Sequence, residues 1–210
     1  MDGLFISFEG PEGAGKTTQI RRICEWLDHQ GISYIHVREP GGTRIGNEIR
    51  ELVLHPEFDE MSMLTEVLLY ASSRAQLVGE VIMPALAEGK MVLCDRYVDS
   101  SVAYQSYGAG VPLAVVLSIN EQATSGLRPH RTYLLDIPPE VSESRVKARG
   151  GDVDRMEQRD SSFHRRVREG YLELSTRYPH RYRVIQGDRE LEDINRQIKQ
   201  DLLQLMSYGK

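Results

Sequence analysis

The run Gly10-Pro11-Glu12-Gly13-Ala14-Gly15-Lys16-Thr17-Thr18 places a glycine, four residues, then Gly-Lys-Thr, which is the spacing of a loop that wraps a polyphosphate. Gly10, Gly13 and Gly15 permit backbone conformations closed to residues with side chains. The amides of this stretch, Ala14, Lys16, Thr17 and Thr18 included, can then turn toward an anion. Lys16 suits the β- and γ-phosphoryl oxygens, and the Thr17 hydroxyl suits the magnesium that bridges them. These residue types imply a nucleoside triphosphate and leave the reaction open.

Further along, the apolar run Met91-Val92-Leu93-Cys94 delivers Asp95 and Arg96. Asp95 suits a direct or second-sphere role at magnesium, with a helix-capping aspartate as the competing reading. Arg96 suits a bidentate grip on a second phosphate. Tyr70 and Arg74 are four residues apart and share one face of a helix, with Ser72 and Ser73 beside them. A ring beside a guanidinium can stack a base and donate to its carbonyl oxygens, although Tyr70 also suits ordinary core packing. A phosphate loop with separate arginines implies two phosphorylated ligands, which favours transfer between nucleotides over hydrolysis.

Holding these groups together requires strands alternating with helices. Leu4-Phe5-Ile6-Ser7-Phe8 is a buried-strand run just before the loop, and Ile20, Ile23, Cys24 and Leu27 recur at helical spacing after it. Ser33–Arg38 reads as a second strand, ended by Glu39-Pro40-Gly41-Gly42-Thr43. A helix is expected from about Gly46 to Leu54 with Ile45, Ile49, Leu52 and Val53 inward, and a longer one over roughly 60–88 with Leu64, Val67, Leu68 and Ala71 inward. After Met91–Cys94 come an irregular, glycine-punctuated stretch, a helix near 112–125 and a fourth strand, Thr132–Ile137. Pro138-Pro139 opens the next helix, and 148–160, with Gly150, Gly151 and dense charge, reads as an exposed mobile segment. A helix over 161–177, a strand Tyr182–Gln186 and a closing helix with Leu191, Ile194, Ile198, Leu202 and Leu205 complete the chain. Five strands in this alternation predict an α/β fold with a parallel sheet covered on both faces. Functional residues of such sheets gather beyond the carboxyl ends of the strands, so the loop, the Arg38-Glu39 turn and Asp95-Arg96 should share one rim.

The 210 residues suit one domain and carry a net charge of −5, which argues against general nucleic-acid binding. The charge is uneven. Residues 128–189 hold 14 Lys/Arg against 10 Asp/Glu, so cations can reach the nucleotide from that third of the chain. Cys24 and Cys94 show no metal-ligand spacing and read as small core residues. Met1-Asp2-Gly3 leads into the first strand with no basic segment and long apolar core, so neither signal peptide nor membrane span is expected, and a soluble cytoplasmic protein is.

Taken together, Phe8–Thr18, Arg38–Thr43, Leu69-Tyr70-Ala71-Ser72-Ser73-Arg74 and above all Asp95-Arg96-Tyr97-Val98-Asp99-Ser100-Ser101-Val102-Ala103-Tyr104-Gln105 resemble thymidylate kinase. The likeness continues into Asp154-Arg155-Met156-Glu157 and so spans nearly the whole chain. It implies a single nucleoside monophosphate kinase domain over 1–210, with a P-loop NTPase-type three-layer fold and a flexible lid near 148–160. The activity implied is magnesium-dependent transfer of the ATP γ-phosphoryl to thymidine 5′-monophosphate (dTMP), for dTTP synthesis. By resemblance Tyr70 stacks on thymine and Arg74 bonds a thymine carbonyl. Ser101 and Gln105 match positions at the pyrimidine edge, and Tyr104 one that crowds the sugar. Arg38, Arg50 and Arg96 match the acceptor phosphate site, with Glu39 in the same set. Glu12 matches a position near the acceptor 3′-hydroxyl or magnesium, and Arg145 and Gly187-Asp188 match adenine neighbours.

Some members of the family it resembles carry a further basic residue beside the loop glycine, but here Gly13-Ala14 precedes Gly15-Lys16 with no arginine, so the missing cation must come from elsewhere. Lys147, Arg149, Arg155 and Arg159 are similar to the lid arginines of bacterial members, and Arg149 and Arg155 are the candidates for catalysis beside Lys16, Arg96 and Glu12. Solvated pairing with Asp152 or Asp154 is the alternative for any of them. The resemblance also implies a two-fold homodimer, which the helices themselves do not reveal. Two other readings stay open: a kinase of another nucleoside monophosphate or of a deoxynucleoside, and a phosphate-loop switch. No Asn-Lys-x-Asp string supports the switch.

Overall fold

The structure, a computed structural model, describes residues 3–150 and 153–208. Met1, Asp2, Gly151 and Asp152, all read above, lie outside it. Strand β1 (Phe5–Glu9) leads through the glycine loop to helix α1 (Lys16–Gln30), then β2 (Tyr34–Arg38), α2 (Arg44–Leu54) and α3 (Met63–Leu77). A π-helical turn, Val78–Ile82, joins α3 to α4 (Met83–Ala87). Then come β3 (Met91–Asp95), α5 (Val98–Ser101) with a π-helical extension Val102–Gly108, α6 (Leu113–Thr124), β4 (Arg131–Asp136), α7 (Pro139–Arg149), α8 (Ser161–Arg177), β5 (Tyr182–Gln186) and α9 (Leu191–Tyr208).

The five strands form one parallel sheet in the order β2-β3-β1-β4-β5, a P-loop NTPase-type arrangement. Alternation along each strand divides the core between the two faces. Phe5, Val37, Val92, Cys94 and Leu134 pack with α3, the 98–108 helix, α6 and α8 on one side. Ile6, Phe8, Leu93, Tyr133 and Leu135 pack with α1 and α9 on the other. The strands are apolar on both faces because both are covered. All their carboxyl ends meet one rim, and β1, β2 and β3 bring there the loop, Glu39 and Asp95.

Three expectations need correction. The stretch after β3 is helical through Gly108, since Val98, Val102 and Ala103 repeat at helical spacing and are buried. Gly108 belongs there because a Cβ on it would lie 2.7 Å from the Phe163 ring of α8. Ile45 and Leu52 on α2 and Leu64 and Leu68 on α3 face outward, 40 to 52% exposed, while Val53 and Val67 turn inward. The segment 153–160 is not simply exposed, because Arg155 and Met156 are buried at 5% and 4%. Helix starts also shift: Thr43 Oγ1 accepts the Gly46 N–H and starts α2 at Arg44, and Ser62 Oγ accepts the Thr65 N–H and starts α3 at Met63.

Candidate active site

A cleft of about 530 Å³ opens at the rim. Glu12, Gly13, Gly15, Lys16, Thr17 and Thr18 line one side of it, Asp95 and Arg96 its floor, and Arg38, Glu39, Arg50, Tyr70, Arg74, Ser101, Tyr104 and Gln105 the far side. Arg145 and Arg149 of α7 complete the loop end. Gly10, Ala14 and Gly187 do not line it. Gly10, at φ 136°, lies under the loop where a Cβ would sit 2.4 Å from the Leu135 carbonyl oxygen. Gly187 accepts from Arg145 Nη1 (3.0 Å), which also donates to the Gly13 carbonyl (3.1 Å), so one guanidinium ties the two loops.

Lys16 is buried and its Nζ donates to the carbonyls of Gly10 (3.0 Å) and Pro11 (2.8 Å). Burial, and then the charge of Arg96, push its pKa down to about 8 against the pull of Asp95, Glu12 and Glu9. Thr17 Oγ1 donates to Asp95 Oδ2 at 2.7 Å. This hydroxyl and carboxylate are hard oxygen donors side by side, a fit for magnesium. Among the described residues no cluster of three or more His, Cys, Asp or Glu could hold a metal by itself.

Arg96 adopts φ 71°, a left-handed backbone that side-chain-bearing residues seldom hold. Its guanidinium is clasped from all sides. Nη2 donates to Glu12 Oε1 (2.9 Å), and Nη1 donates to the Gly10 carbonyl (3.0 Å), Tyr171 Oη (3.2 Å) and Ser100 Oγ (3.3 Å). The Tyr104 ring lies under it, 5.0 Å from centroid to Cζ. Burial works against a charged Glu12, yet Arg96, Lys16 and the Tyr104 hydroxyl outweigh it and hold its pKa below the ordinary carboxylate value. Glu12 therefore stays ionised between two cations.

Arg74 is 1% exposed and all three of its nitrogens are engaged, four N–H groups donating. Nε donates to Glu39 Oε2 (2.7 Å), Nη1 to Ser101 Oγ (3.0 Å) and Asn120 Oδ1, and Nη2 to the Tyr97 carbonyl (3.2 Å), while Nη2 also lies in ion-pair contact with Glu39 Oε2. The expected bond to a base carbonyl would have to be shared with one of these. Arg74 is chiefly a buried hub that fixes the wall. Tyr70, half-buried in the cleft, keeps its ring available.

Among the cations expected in the lid, Arg149 lines the cleft, its side chain 56% exposed and its Nη2 donating to both Glu157 oxygens (2.8 and 3.0 Å). Lys147 pairs with Glu143 in solvent, and Arg159 lies over the Phe163 ring. Arg155 is the clear departure. It sits behind the cleft wall, its Nη2 2.6 Å from Glu66 Oε2 and its Nε and Nη2 donating to the Val53 carbonyl. A guanidinium so engaged is no free cation for a transferring phosphate, and its assignment to catalysis is withdrawn.

The thymidylate kinase family model matches residues 8–198. The chain belongs to the thymidylate kinase family. It is 50% identical over 203 residues to thymidylate kinase of Exiguobacterium sibiricum, covering 97% of this chain and 95% of the relative. To that of Symbiobacterium thermophilum it is 47% identical over 196 residues, 93% of this chain and 91% of the relative. Among solved structures it is similar to the crystal structure of thymidylate kinase from Ehrlichia chaffeensis, with 28% identity, a TM-score of 0.75, and coverage of 96% and 99% of the two chains. As a thymidylate kinase family member the chain is a phosphotransferase.

Sequence reasoning missed the residues behind those that line the cleft. Tyr171, with Ser100 of the cleft lining, accepts from Arg96, and both hydroxyls donate to Glu9 behind them; Asn120 holds Arg74, and Glu66 holds Arg155 and Gln105. Glu9 alone left a signal, as a carboxylate ending the apolar run Leu4–Phe8.

Proposed function

We infer that this chain transfers the γ-phosphoryl group of ATP to dTMP, yielding thymidine 5′-diphosphate and ADP by direct in-line displacement, a step toward dTTP. One observation carries this: a main-chain phosphate loop and an arginine-lined pocket with an aromatic wall open into the same cleft. The loop amides, the α1 N-terminus and Lys16 hold the donor phosphates, with Arg145 and Gly187 toward adenine. Arg38, Arg50 and Arg96 grip the acceptor phosphate, and Glu39, through Arg74, fixes the turn between them. Tyr70 stacks on the base, Arg74, Ser101 and Gln105 line its polar edge, and Tyr104 limits room at the sugar. Glu12, kept ionised, orders the 3′-hydroxyl end and Arg96 together.

With no covalent intermediate, positioning and charge neutralisation supply the catalysis. Arg96 spans acceptor and transfer zone, and Arg149, exposed at the end of α7, is the lid arginine that brings positive charge to the γ-phosphoryl. Thr17 and Asp95 would hold magnesium, which neutralises charge across the donor phosphates when bound. Residues 1–210 work as one domain, because a single sheet carries every wall of the cleft. Exposed apolar residues on α2 and α3 support a homodimer. Use of ATP supports a cytoplasmic setting, and the net charge of −5 weighs against general nucleic-acid binding. Among the described residues no helix is long and apolar enough to cross a membrane.

The test is ADP release with dTMP, dUMP, dCMP and dGMP as acceptors, with Lys16→Ala as the blank. The thymine nucleotide should lead dCMP and dGMP by a wide margin. Equal turnover of all four would remove the base-recognition assignments.

A further inference from the structure

Glu66 takes no part in the chemistry above, yet it is a 1% exposed carboxylate directly behind the base wall. Its Oε1 accepts from Gln105 Nε2 at 2.9 Å, and its Oε2 lies 2.6 Å from Arg155 Nη2. Gln105 is itself 2% exposed and Arg155 5%, so neither partner is free to rotate into water. A carboxylate paired with a guanidinium carries no hydrogen and can only accept. Only the NH₂ side of the Gln105 amide can therefore face it. Inverting the amide would set its oxygen against a carboxylate oxygen in a buried site, leaving two acceptors opposed and one donor stranded. Among the described residues, Gln105 Oε1 makes no other hydrogen bond, so the amide has an acceptor left over beside the cleft that Gln105 lines.

That acceptor distinguishes pyrimidines. The edge of a thymine or uracil ring reads C=O, N3–H, C=O, whereas cytosine offers a bare N3 that itself accepts. An amide oxygen pairs with the first and opposes the second. We propose that Glu66 is a specificity-determining residue, which together with Arg155 fixes the Gln105 amide so that its oxygen selects an imide base over cytosine. This rests on the reading of the cleft as a dTMP site. It also gives the buried Arg155 a purpose, as the ion-pair partner 2.6 Å from Glu66 Oε2 that holds this carboxylate in place.

The experiment measures kcat/KM for dTMP, dUMP and dCMP in the unmodified chain, in Glu66→Gln, and in Glu66→Gln with Arg155→Met, which removes both charges so that neither is left buried alone. A glutamine at 66 can accept or donate, so both orientations of Gln105 become available. The dTMP-to-dCMP ratio should fall at least about tenfold in both variants, while dTMP-to-dUMP, which share the imide, stays level. A purely structural injury would lower all three alike and leave both ratios intact. That result in a folded variant overturns the proposal. An unmodified chain that turns over dCMP as well as dTMP instead overturns the dTMP-site reading itself, and the proposal with it.

Discussion

Arg149 and Arg155 are six residues apart, and their surroundings assign them different work. Arg149 is exposed at the cleft and pairs with Glu157, whose own side chain is only 5% exposed but also accepts the Asp154 N–H. Arg149→Ala should lower kcat on the order of 10³-fold, as loss of a transferring-group arginine does, with a smaller fall in melting temperature than Arg155→Ala causes, because Glu157 keeps the Asp154 N–H. Arg155→Ala should instead leave Glu66 buried with only the Arg159 guanidinium, 3.9 Å from Oε2, opposite it, a cost of up to about 3–5 kcal/mol, visible as a drop in Tm of about 10 °C. Both are checked by pairing initial rates with thermal melts, and a stable, inactive Arg155→Ala would return that residue to catalysis. Lys16 yields a second prediction. With its pKa pushed down to about 8, it is largely neutral in the free protein at about pH 9 and charged at about pH 6.5. Donor phosphates favour the charged form, so ATP binding should take up close to one proton at the higher pH and almost none at the lower. Calorimetry in buffers of different ionisation enthalpy reads this directly, and Lys16→Met should abolish the uptake.

Helix α5 shows how one strand positions another element's functional group. Tyr97 is its N-cap but has no capping side chain, and Glu9 of β1 supplies the missing acceptor by taking the Tyr97 N–H at 2.8 Å and Ser100 Oγ at 2.6 Å. The left-handed Arg96 is pinned between them. Burial first, and then the charge of Asp99, push the Glu9 pKa from 4.5 up to about 8, against Ser100 and Arg96. The folded chain then keeps a proton that the unfolded chain releases between those two values. The Glu9 contribution is complete below pH 4.5, declines as pH rises toward 8, by up to about 1.4 kcal/mol per unit, and is flat above. Glu9→Gln should flatten the fall of Tm over that window, and an unaltered slope would place the titration elsewhere. How much of this was legible follows from the same geometry. Strand and helix order, the shared rim and the side chains that line the cleft all carry local marks: apolar runs, helical spacing, glycines before Lys16. The clasp on Arg96 joins Glu9, Ser100 and Tyr171, residues up to 162 positions apart, and no local pattern encodes such a meeting. Arg155 and Arg149 share one charged segment, so charge alone could not tell the buried cation from the exposed one.

Across the whole molecule the same limit explains the outward-facing apolar residues. Helical spacing puts Ile45, Ile49, Leu52 and Val53 on neighbouring faces of α2 but does not say which face meets the sheet. The protein buries Val53 and leaves Ile45 and Leu52 outside, as it does Leu64 and Leu68 of α3, a helix that packs along α2. Val115 of α6, the next helix against α3, is 38% exposed as well. Isolated exposed leucines need no explanation, but a set spread over three adjacent helices does. Each such side chain, already about half covered, gains roughly 0.7–1.5 kcal/mol on full burial, which in sum contributes to a stable pair once the cost of association is met. Introducing Leu64→Glu with Leu68→Glu sets like charges against each other in a two-fold contact and removes that gain. Light scattering after gel filtration should show a dimer for the unmodified chain at micromolar concentration and a monomer for the variant. Because α3 also carries Tyr70 and Arg74 on its inner side, loss of the pair should raise KM for dTMP more than for ATP. A monomeric unmodified chain would leave this face to some other partner.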